Sequence, residues 1–531
     1  MKSAKKYPYK EYLANIFPCI GYGILCGSVT GAVIVFFKWA AHHAEYLSRR
    51  AYQWAGRDWV DMILGVGVLG GCSVMMYFLH KKIPEVAGGG IPRSEGVIRG
   101  ILTFRWWKTL VATILGSMIS FFCGLPLGSE GPAVLIGTSL GGMCVHFSSH
   151  KNARSRYIMS GGAGAGFAVA TGAPLSGILF VLEEIHKRYS PTVLLTVATS
   201  VLSATYVNRL LCSWFRMSSN LLELDIYPSF QLHHVGYLLL LGILLSLAVA
   251  VFDASITWFS DKKKRLPQWF RLLAVFGTTG ILGFFFADGI YSGHDTILTV
   301  MHQEKTIWYL IFLLLVRMIM MRMVTSSSAT GGIFIPTLAI GSLFGAMATK
   351  ALIFLGMPVE LFPTAVLLGM CSFLGGTLRA PLTATVFFLE LTGQFTDLFY
   401  ATLVVFTVHL ITELFHQIPF YDTVLSKMEK KQNQGKDYTI ACFQMKVSRR
   451  AFVVGKTVRD ILWPASSAFV SITRANDDHA DLDRDGEKKL YSGDTIVLRI
   501  RYTDEKEVIS LLTALVGEEH PIQKVKDPSL C

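Results

Sequence analysis

Residues 128–141 read GSEGPAVLIGTSLG: a glycine-rich loop with one acid, then a proline and an apolar run. A related stretch, GGIFIPTLAIGSLFG, occupies residues 331–345, so that Pro132 corresponds to Pro336 and the apolar residues after them also match. Proline suits the first turn of a helix, because the N–H that it lacks would have no partner there. The pattern therefore predicts two related helices, each beginning after a glycine-rich loop.

A second pair of matching stretches follows the first. APLSGILFVLE at residues 173–183 corresponds to APLTATVFFLE at residues 380–390, in the same order and at nearly the same separation. Helices rich in Gly, Leu and Ala can match by chance, but chance explains two matches in the same order less well than a duplication does. We therefore predict homologous halves at about 60–215 and 235–420. Duplicated halves with interrupted membrane segments are typical of transporters, whose substrate site lies where the halves meet.

The composition indicates a membrane protein with a small soluble part. Of the 531 residues, 52% are hydrophobic and only 16% are charged, against roughly 25% charged in soluble chains. Charged residues are much denser in the last hundred or so residues than before them. We predict a membrane domain at 1–426, a linker at 427–436, a cytosolic domain at 437–520 and a tail at 521–531. This composition disfavours a secreted enzyme, a disordered chain and a nucleic-acid binder.

Basic residues predict the orientation in the membrane. Lys2, Lys5, Lys6 and Lys10 precede the first apolar stretch, and residues 262–265 read KKKR between two later ones. The positive-inside rule places such short segments in the cytoplasm. We therefore attribute the net charge of +12 to the orientation of the protein in the membrane and not to nucleic-acid binding. Both termini are expected in the cytoplasm, with the protein in the plasma membrane of a prokaryote.

Three glycine-rich loops end in proline and lead into apolar helices: GGGIP at Gly88–Pro92, GSEGP at Gly128–Pro132 and GGIFIP at Gly331–Pro336. A helix amino terminus offers unpaired N–H groups and partial positive charge, which favour an anion. Glycine leaves such amides uncovered. We expect these loops to bind a small monovalent anion, and plain helix packing is the alternative. The candidates in the first two loops are Gly89, Gly90, Ile91 and Gly131.

Glu130 lies inside the second loop, far along the chain from the nearest other acids, Glu95 and Glu183. A carboxylate at membrane depth costs about 2.5–3.5 kcal/mol on insertion scales and is functional by default. Ionised, it competes with the anion for the same amides; protonated, it loses that attraction and moves aside. We expect Glu130 to be both gate and proton carrier, and a cap for the following helix is the alternative.

Two further sites concern the cytoplasmic side. Glu183 and Glu184 end an apolar run and precede basic residues, which places them near the cytoplasmic face. Either is a candidate for internal proton uptake, and a solvated helix end explains the spacing equally well. Tyr421 follows the last membrane segment in IPFYD and is, by spacing alone, an interfacial aromatic.

The sequence indicates no metal or cofactor site. Nine cysteines are scattered singly, without a CxxC pair or a histidine at ligand spacing. No nucleophile–base pair is apparent either. We therefore expect neither a metal nor a cofactor, and no enzymatic activity.

These motifs resemble those of the CLC family of chloride channels and chloride/proton antiporters, over residues 10–426. GSEGP is similar to the family's GxEGP loop, GGIFIP to GGIFxP and GGGIP to GSGIP, and APLSGILFVLEE and IPFYD also match. The resemblance implies an all-α polytopic membrane fold with two inverted-topology repeats of tilted and broken helices. It also implies a homodimer in which each protomer has its own pathway for chloride and protons.

The resemblance also assigns roles by position. It makes Glu130 the external gating glutamate and Glu184 the internal proton-transfer glutamate. Ile333 and Phe334 supply backbone amides, and Tyr421 a phenolic hydroxyl, to the central anion. Family channels commonly lack the internal glutamate, so Glu184 favours antiport over a passive channel.

Two positions depart from the family pattern. Gly89 replaces a serine that partners Tyr421 at the inner gate, and Ser129 replaces a common arginine of the second loop. Fluoride exporters of the family usually carry methionine at the position of Gly89, and nitrate-preferring members carry proline. We expect chloride transport with relaxed discrimination against bromide and nitrate. A passive anion channel and a fluoride-exporting antiporter stay as alternatives.

The last hundred or so residues are predicted to form an α+β module. Strand-like runs occur at 438–444, 468–473 and Asp494–Tyr502, and helix-like segments at Thr457–Trp463 and Asp504–Val516. VGKTVRDILWPASSAFVSITR and LYSGDTIVLRI are similar to RCK-C (TrkA-C) modules, which bind small regulators, cyclic dinucleotides in some cases, usually as dimers. No nucleotide fingerprint is present, so ligand regulation and plain support of a dimer both stay open.

Overall fold

The computed structural model describes residues 9–146, 151–216, 218–222, 224, 227–262, 266–302, 305–415, 419–434, 437–475, 480–481 and 486–525. The basic segments at 1–8 and 263–265, on which the predicted orientation depends, lie outside these residues.

The described residues form a helical part followed by a small sheet. The helices are α1 (Tyr9–Ala55), α2 (Trp59–Lys82), α3 (Gly90–Ile98), α4 (Trp106–Phe122), α5 (Glu130–His146), α6 (Lys151–Thr171), α7 (Pro174–Phe180), α8 (Pro191–Phe215), α9 (Val235–Lys262), α10 (Gln268–Phe285), α11 (His294–His302), α12 (Ile307–Ser327), α13 (Phe334–Phe354), α14 (Phe362–Leu378), α15 (Pro381–Thr392), α16 (Leu398–Leu414), α17 (Phe420–Gln432) and α18 (Glu505–Val516). The strands are β1 (Thr439–Lys446), β2 (Ser467–Thr473), β3 (Ala480–Asp481), β4 (Thr495–Tyr502) and β5 (Gln523–Val525).

The helical part has the dimensions of a membrane protein. Within the described residues, nine helices are long and apolar enough to cross a bilayer, and α4 and α15 are apolar but shorter. Large apolar side chains such as Trp59, Ile63 and Leu64 of α2 are exposed on the outer surface. In a soluble protein such a surface would be unstable, whereas lipid solvates it. The predicted multi-pass membrane protein is confirmed.

The two halves cap each other reciprocally. The carboxylate of Glu183, just after α7, accepts hydrogen bonds from the amide (2.7 Å) and hydroxyl (2.7 Å) of Thr383 at the start of α15. Glu390, near the end of α15, accepts bonds from the amide (2.8 Å) and hydroxyl (2.6 Å) of Ser176 at the start of α7. This exchange places α7 and α15 antiparallel, as an inverted repeat requires.

Helices α5 and α6 touch through their backbones. A Cβ atom built on Gly137 would lie 2.0 Å from the carbonyl oxygen of Gly162, and one built on Gly162 would lie 2.1 Å from that of Gly137. Small residues permit such close approach between membrane helices, where dispersion replaces the hydrophobic effect as the source of packing energy. No larger residue fits at either position without moving a helix.

The sheet has the order β3-β2-β4-β1-β5, and all its strand pairs are antiparallel. Helix α18 buries Val508, Leu512 and Leu515 and lies against α6 of the membrane part. The α+β module is therefore packed onto the membrane part and is not suspended from it.

The boundaries of this module differ from the prediction in three places. The predicted helix Thr457–Trp463 is wrong: only the turn Val458–Asp460 is helical, and Ile461 is already extended, with φ −91° and ψ 131°. Pro464 further disfavours helical backbone at Trp463. Helix α17 continues to Gln432, inside the predicted linker. Strand β5 falls in the predicted tail and pairs with β1.

Candidate functional site

The three glycine-rich loops meet at one point inside the protein. Gly128 and Gly332 exchange two backbone hydrogen bonds, of 2.7 and 2.8 Å. A Cβ atom built on Gly131 would lie 2.7 Å from Cα of Gly332 and 3.4 Å from the amide nitrogen of Gly90. Glycine at position 131 thus allows all three loops to come into backbone contact.

Three helices begin at this junction. Gly89 is the residue before α3, Glu130 is the first residue of α5, and Ile333 is the residue before α13. The first N–H groups of each helix have no partner within the helix, and their partial positive charge adds at the junction. The loops contribute no lysine or arginine. An anion would be held there by dipoles, at a site where Ile91 and Phe334 are each only 1% exposed.

Glu130 lies at this junction and is fully buried. Its Oε1 accepts a hydrogen bond of 3.0 Å from the Ser129 hydroxyl, while its Oε2 has no hydrogen-bond partner among the described residues. A Cβ atom on Gly128 would lie 2.5 Å from that Oε2. The carboxylate therefore folds back onto its own loop, beside the Gly128–Gly332 contact.

Lys38 was not among the candidate residues, and it lies within electrostatic range of Glu130. Its Nζ donates a hydrogen bond of 3.2 Å to the carbonyl oxygen of Val169 in α6. The loop itself carries Ser129 where arginine is common in the resembled family. A lysine within the long apolar helix α1 is the sequence signal that could have identified this residue.

Glu184 lies in a wider helical turn that extends α7. Residues Val181–Ile185 form one π-helical turn, with the His186 amide bonded to the carbonyl oxygen of Val181 at 2.9 Å. Such turns occur frequently at functional sites. Glu184 is 1% exposed, and its Oε1 has no hydrogen-bond partner within the part of the chain that the structure describes. The alternative of a solvated helix end is therefore wrong for Glu184.

The structure separates the two neighbouring candidates Glu183 and Glu184. Both oxygens of Glu183 are bonded to the first turn of α15, so its carboxylate serves as a cap. Among the residues that the structure describes, Glu184 makes no comparable cap, and its side chain is buried in the interior. Neighbouring residues of a helix point about 100° apart, so Glu183 can cap α15 while Glu184 points into the interior.

Tyr421 is buried in the first turn of α17. It is 1% exposed, so the spacing-based interpretation of an interfacial aromatic is wrong. Its hydroxyl lies within electrostatic range of both Glu184 and Glu130. Helix α17 packs closely on α3, since a Cβ atom on Gly96 would lie 2.7 Å from Cδ1 of Leu425. Tyr421 therefore belongs to the same buried region as the two glutamates.

Four charged side chains, those of Glu95, Arg99, Lys187 and Asp422, form a cluster next to Glu184 that the sequence analysis does not predict. Arg99 is 2.7 Å and Lys187 is 3.9 Å from Oε1 of Glu95, and Lys187 is 2.5 Å from Oδ2 of Asp422. Glu95, Lys187 and Asp422 all interact electrostatically with Glu184. The only signals in the sequence are the i,i+4 spacing of Glu95 and Arg99 and the proximity of Lys187 to Glu184.

Among the described residues, no group of three or more His, Cys, Asp or Glu side chains could hold a metal ion. Glu130, Glu184 and Tyr421 are the buried titratable candidates of the region among the described residues. The chemistry that these residues offer is therefore anion binding by amides and proton exchange on carboxylates.

Antiparallel halves whose broken helices meet around a buried carboxylate define a class of membrane transport protein. The sequence pattern described as Voltage gated chloride channel matches residues 71–413, and the chain belongs to this family. The H(+)/Cl(-) exchange transporter ClcA of Salmonella paratyphi B is 29% identical over 425 residues, which cover 77% of this chain and 88% of that protein.

Solved structures show the same fold. A slow cyanobacterial Cl-/H+ antiporter matches with a TM-score of 0.71 and 25% identity, over 78% of this chain and 99% of that one. A CLC-type fluoride/proton antiporter matches with a TM-score of 0.64 and 18% identity, over 77% of this chain and 98% of that one. The predicted fold class is confirmed: a polytopic helical membrane fold with a small α+β part.

Proposed function

We propose that the protein is an antiporter that exchanges chloride for protons. The observation that carries the proposal is the buried carboxylate of Glu130 at the point where three helix amino termini converge. The relatives support it, since the Salmonella protein is named as a proton/chloride exchanger and the cyanobacterial structure is that of a Cl-/H+ antiporter.

In this proposal the anion is bound by dipoles. The loop residues Gly89, Gly90, Ile91 and Gly131, together with Ile333 and Phe334 before and within α13, provide the amides, and Tyr421 provides a hydroxyl. Amides stabilise a monovalent anion strongly enough to replace part of its hydration shell. They bind it weakly enough to release it, which transport requires.

Glu130 couples the two ions by competing with the anion. When ionised, its carboxylate occupies the amide cluster and excludes chloride; when protonated, it is neutral and leaves the cluster to the anion. Each opening therefore requires a proton on Glu130. Glu184 is the proposed internal proton donor and acceptor, because it is buried and lies next to a charged cluster that faces the cytoplasm in the predicted orientation.

A passive channel and a fluoride exporter are less well supported. Channel function does not require a second buried glutamate, and this chain retains Glu184 with an unpartnered oxygen within its described part. The likeness to the fluoride/proton antiporter, at 18% identity, concerns the fold alone. Gly89 differs from the methionine expected of a fluoride exporter.

Reconstitution in liposomes tests the proposal. Under a pH gradient at equal chloride, antiport shifts the reversal potential away from zero, whereas a channel gives no shift. Glu130→Gln should keep chloride flux and abolish proton flux, because an uncharged amide cannot carry a proton. A wild-type reversal potential independent of pH would rule out antiport, and a fluoride flux far above chloride flux would favour the fluoride exporter.

The remaining features of the proposal concern assembly and location. The protein is a homodimer in the plasma membrane of a prokaryote, with both termini in the cytoplasm, and it has no enzymatic activity or cofactor. It combines a membrane domain at 1–426 with an RCK-C-like domain at 437–520. Calorimetry of the full-length protein with a panel of cyclic dinucleotides tests ligand regulation, and the absence of heat with every member would exclude those ligands.

A further inference from the structure

One loop of the α+β module enters the cytoplasmic end of the membrane part. We name the segment Lys456–Trp463 the docking loop. It lies between β1 and β2 and contains residues that are buried although they connect strands, among them Lys456, Val458 and Asp460. A connecting loop normally lies at the surface, because its backbone polar groups need water. Here membrane-part side chains provide the partners.

Asp460 caps α8. Its Oδ2 accepts a hydrogen bond of 2.7 Å from the Thr192 hydroxyl and its Oδ1 one of 3.2 Å from the Thr192 amide. Its Oδ1 also accepts a bond from the hydroxyl of Ser190, the residue before α8. A carboxylate at this position stabilises the first turn through its orphan amides and the helix dipole. The hydroxyl of Ser190 also caps the helix, accepting from the Val193 amide at 3.3 Å. The first turn of a membrane helix is therefore stabilised in part by a residue of the α+β module.

The capped helix continues directly from the turn that holds Glu184. Only residues 186–190 separate that turn from α8. His186 in this connection contacts the hydroxyl of Ser160 in α6 at 2.8 Å, and the same hydroxyl donates to the carbonyl oxygen of Arg156 at 2.6 Å. The connection is thus held at its first residue by α6 and at its last residue by Asp460.

Arg156 extends this contact to the first anion loop. Its Nη1 donates to the carbonyl oxygens of Leu462 (3.0 Å) and Trp463 (2.7 Å) in the docking loop. Its Nε donates to the carbonyl oxygen of Ile98, the last residue of α3. The other end of α3 carries Gly89 and Gly90. One guanidinium therefore joins the docking loop to the helix that begins at the anion site.

Tyr157 completes the interface. Its hydroxyl donates to the carbonyl oxygen of Asp460 at 2.9 Å and accepts from the Leu462 amide at 3.1 Å. Its ring meets that of Phe452 edge to face, with centroids 5.5 Å apart. Every backbone group named here is buried and paired, so the interface has one specific geometry and not a set of equivalent ones.

We propose that Asp460 and Arg156 are positioning residues for the inner half of the transport pathway. Through them the docking loop fixes the Glu184 turn and α3. The α+β module thereby sets the rate of proton transfer at Glu184, and any partner that displaces the docking loop alters the coupling of protons to anions. This inference rests on the proposed function and adds a physical connection between the module and the site.

The test compares two capping aspartates in the full-length protein. Asp460→Ala removes the cap between module and membrane part, whereas Asp504→Ala removes the cap of α18 within the module, where Asp504 accepts from the Lys506 amide at 2.9 Å. Proton and chloride fluxes are measured in liposomes. We expect Asp460→Ala to lower proton flux about fivefold more than chloride flux and Asp504→Ala to leave their ratio unchanged.

Hydrogen exchange supplies a readout that does not depend on transport. Amides of residues 182–192 should exchange at least about fivefold faster in Asp460→Ala than in wild type, and those of α18 should not. If Asp460→Ala does not fold, Asp460→Asn, which keeps one acceptor oxygen, is measured in the same way, with an intermediate effect expected. Unchanged exchange at 182–192 together with an unchanged flux ratio would overturn the inference. If the wild-type protein does not couple proton flux to chloride flux, the proposed function is contradicted instead. The hydrogen-exchange measurement would still test the inference in that case.

Discussion

At the scale of single residues, Gly89 is the position at which this chain departs most clearly from the resembled family. Its φ of −72° suits any residue. A Cβ atom there would meet nothing closer than Cδ of Pro92, at 3.7 Å. The glycine is therefore not required by the backbone, and the missing side chain leaves open space at the start of α3.

Gly89→Ser should sharpen anion selectivity. The hydroxyl would add a donor at the inner end of the proposed pathway, and it would stabilise α3 by a few tenths of a kcal/mol as an N-cap. We expect the preference for chloride over nitrate to rise several-fold, measured as a reversal potential with the two anions on opposite sides. Gly89→Ala fills the same space without a hydroxyl and should leave selectivity unchanged; equal effects of the two variants would refute the role of the hydroxyl.

At the scale of helices, the reciprocal caps of Glu183 and Glu390 connect the two halves. Each carboxylate receives three hydrogen bonds from the first turn of the partner helix. Because the donors are equivalent, the two caps should contribute equally to stability. We therefore expect the two carboxylates to stabilise the fold rather than to transfer protons.

Glu183→Gln should therefore destabilise the protein without uncoupling it. Replacing the carboxylate by an amide weakens charge-assisted bonds at a helix amino terminus, a loss of about 1–2 kcal/mol. Thermal unfolding in detergent measures this loss, and Glu390→Gln is the matched control with the same expected shift. Loss of proton coupling in Glu183→Gln at unchanged stability would assign Glu183 to the proton pathway instead.

At the scale of the whole molecule, the docking of the α+β module buries the ammonium group of Lys456. Its Nζ lies 3.2 Å from the ring centroid of Phe452 and has no hydrogen-bond partner among the described residues. Burial lowers the pKa of Lys456 to about 8, although the nearby Asp460 opposes that shift. The charged groups around it are Asp460 and Arg154, and the thiol of Cys19 is a further titratable neighbour.

This burial makes docking depend on pH in the alkaline range. Because the pKa of Lys456 is lower in the folded protein than in the unfolded chain, the unfolded chain holds the proton longer as the pH rises. Stability should therefore increase between about pH 8 and pH 10 and be insensitive to this group below pH 8. Lys456→Met should lack the increase, a difference on the order of 1–3 kcal/mol in thermal unfolding. The exposed Lys506→Met is the control, and equal pH profiles of wild type and Lys456→Met would contradict the prediction.

Features repeated within the chain were predictable from its sequence, and contacts between its distant parts were not. The matched motifs predicted the two halves, since a duplication carries its own internal comparison. The glycine-rich pattern ending in proline, shared by three loops, predicted that those loops form one site. The contact of Asp460 with Thr192 joins segments far apart in the chain, and although Asp460 lies in the stretch that resembles RCK-C modules, nothing in that stretch points to Thr192. The π-helical turn at Glu184 also left no signal, because one additional residue per turn does not change the hydrophobic pattern of a short helix.

The glycine contacts around the junction restrict how the pathway can open. The backbones at Gly90, Gly131 and Gly332 touch, and α5 is held against α6 at Gly137 and Gly162. Interlocked main chains of this kind tolerate no sliding or tilting of the broken helices, because close-packed interiors resist continuous deformation. We therefore expect alternating exposure of the ion to the two solutions to come mainly from rotation about the χ angles of the Glu130 carboxylate, a swing of roughly a few ångströms.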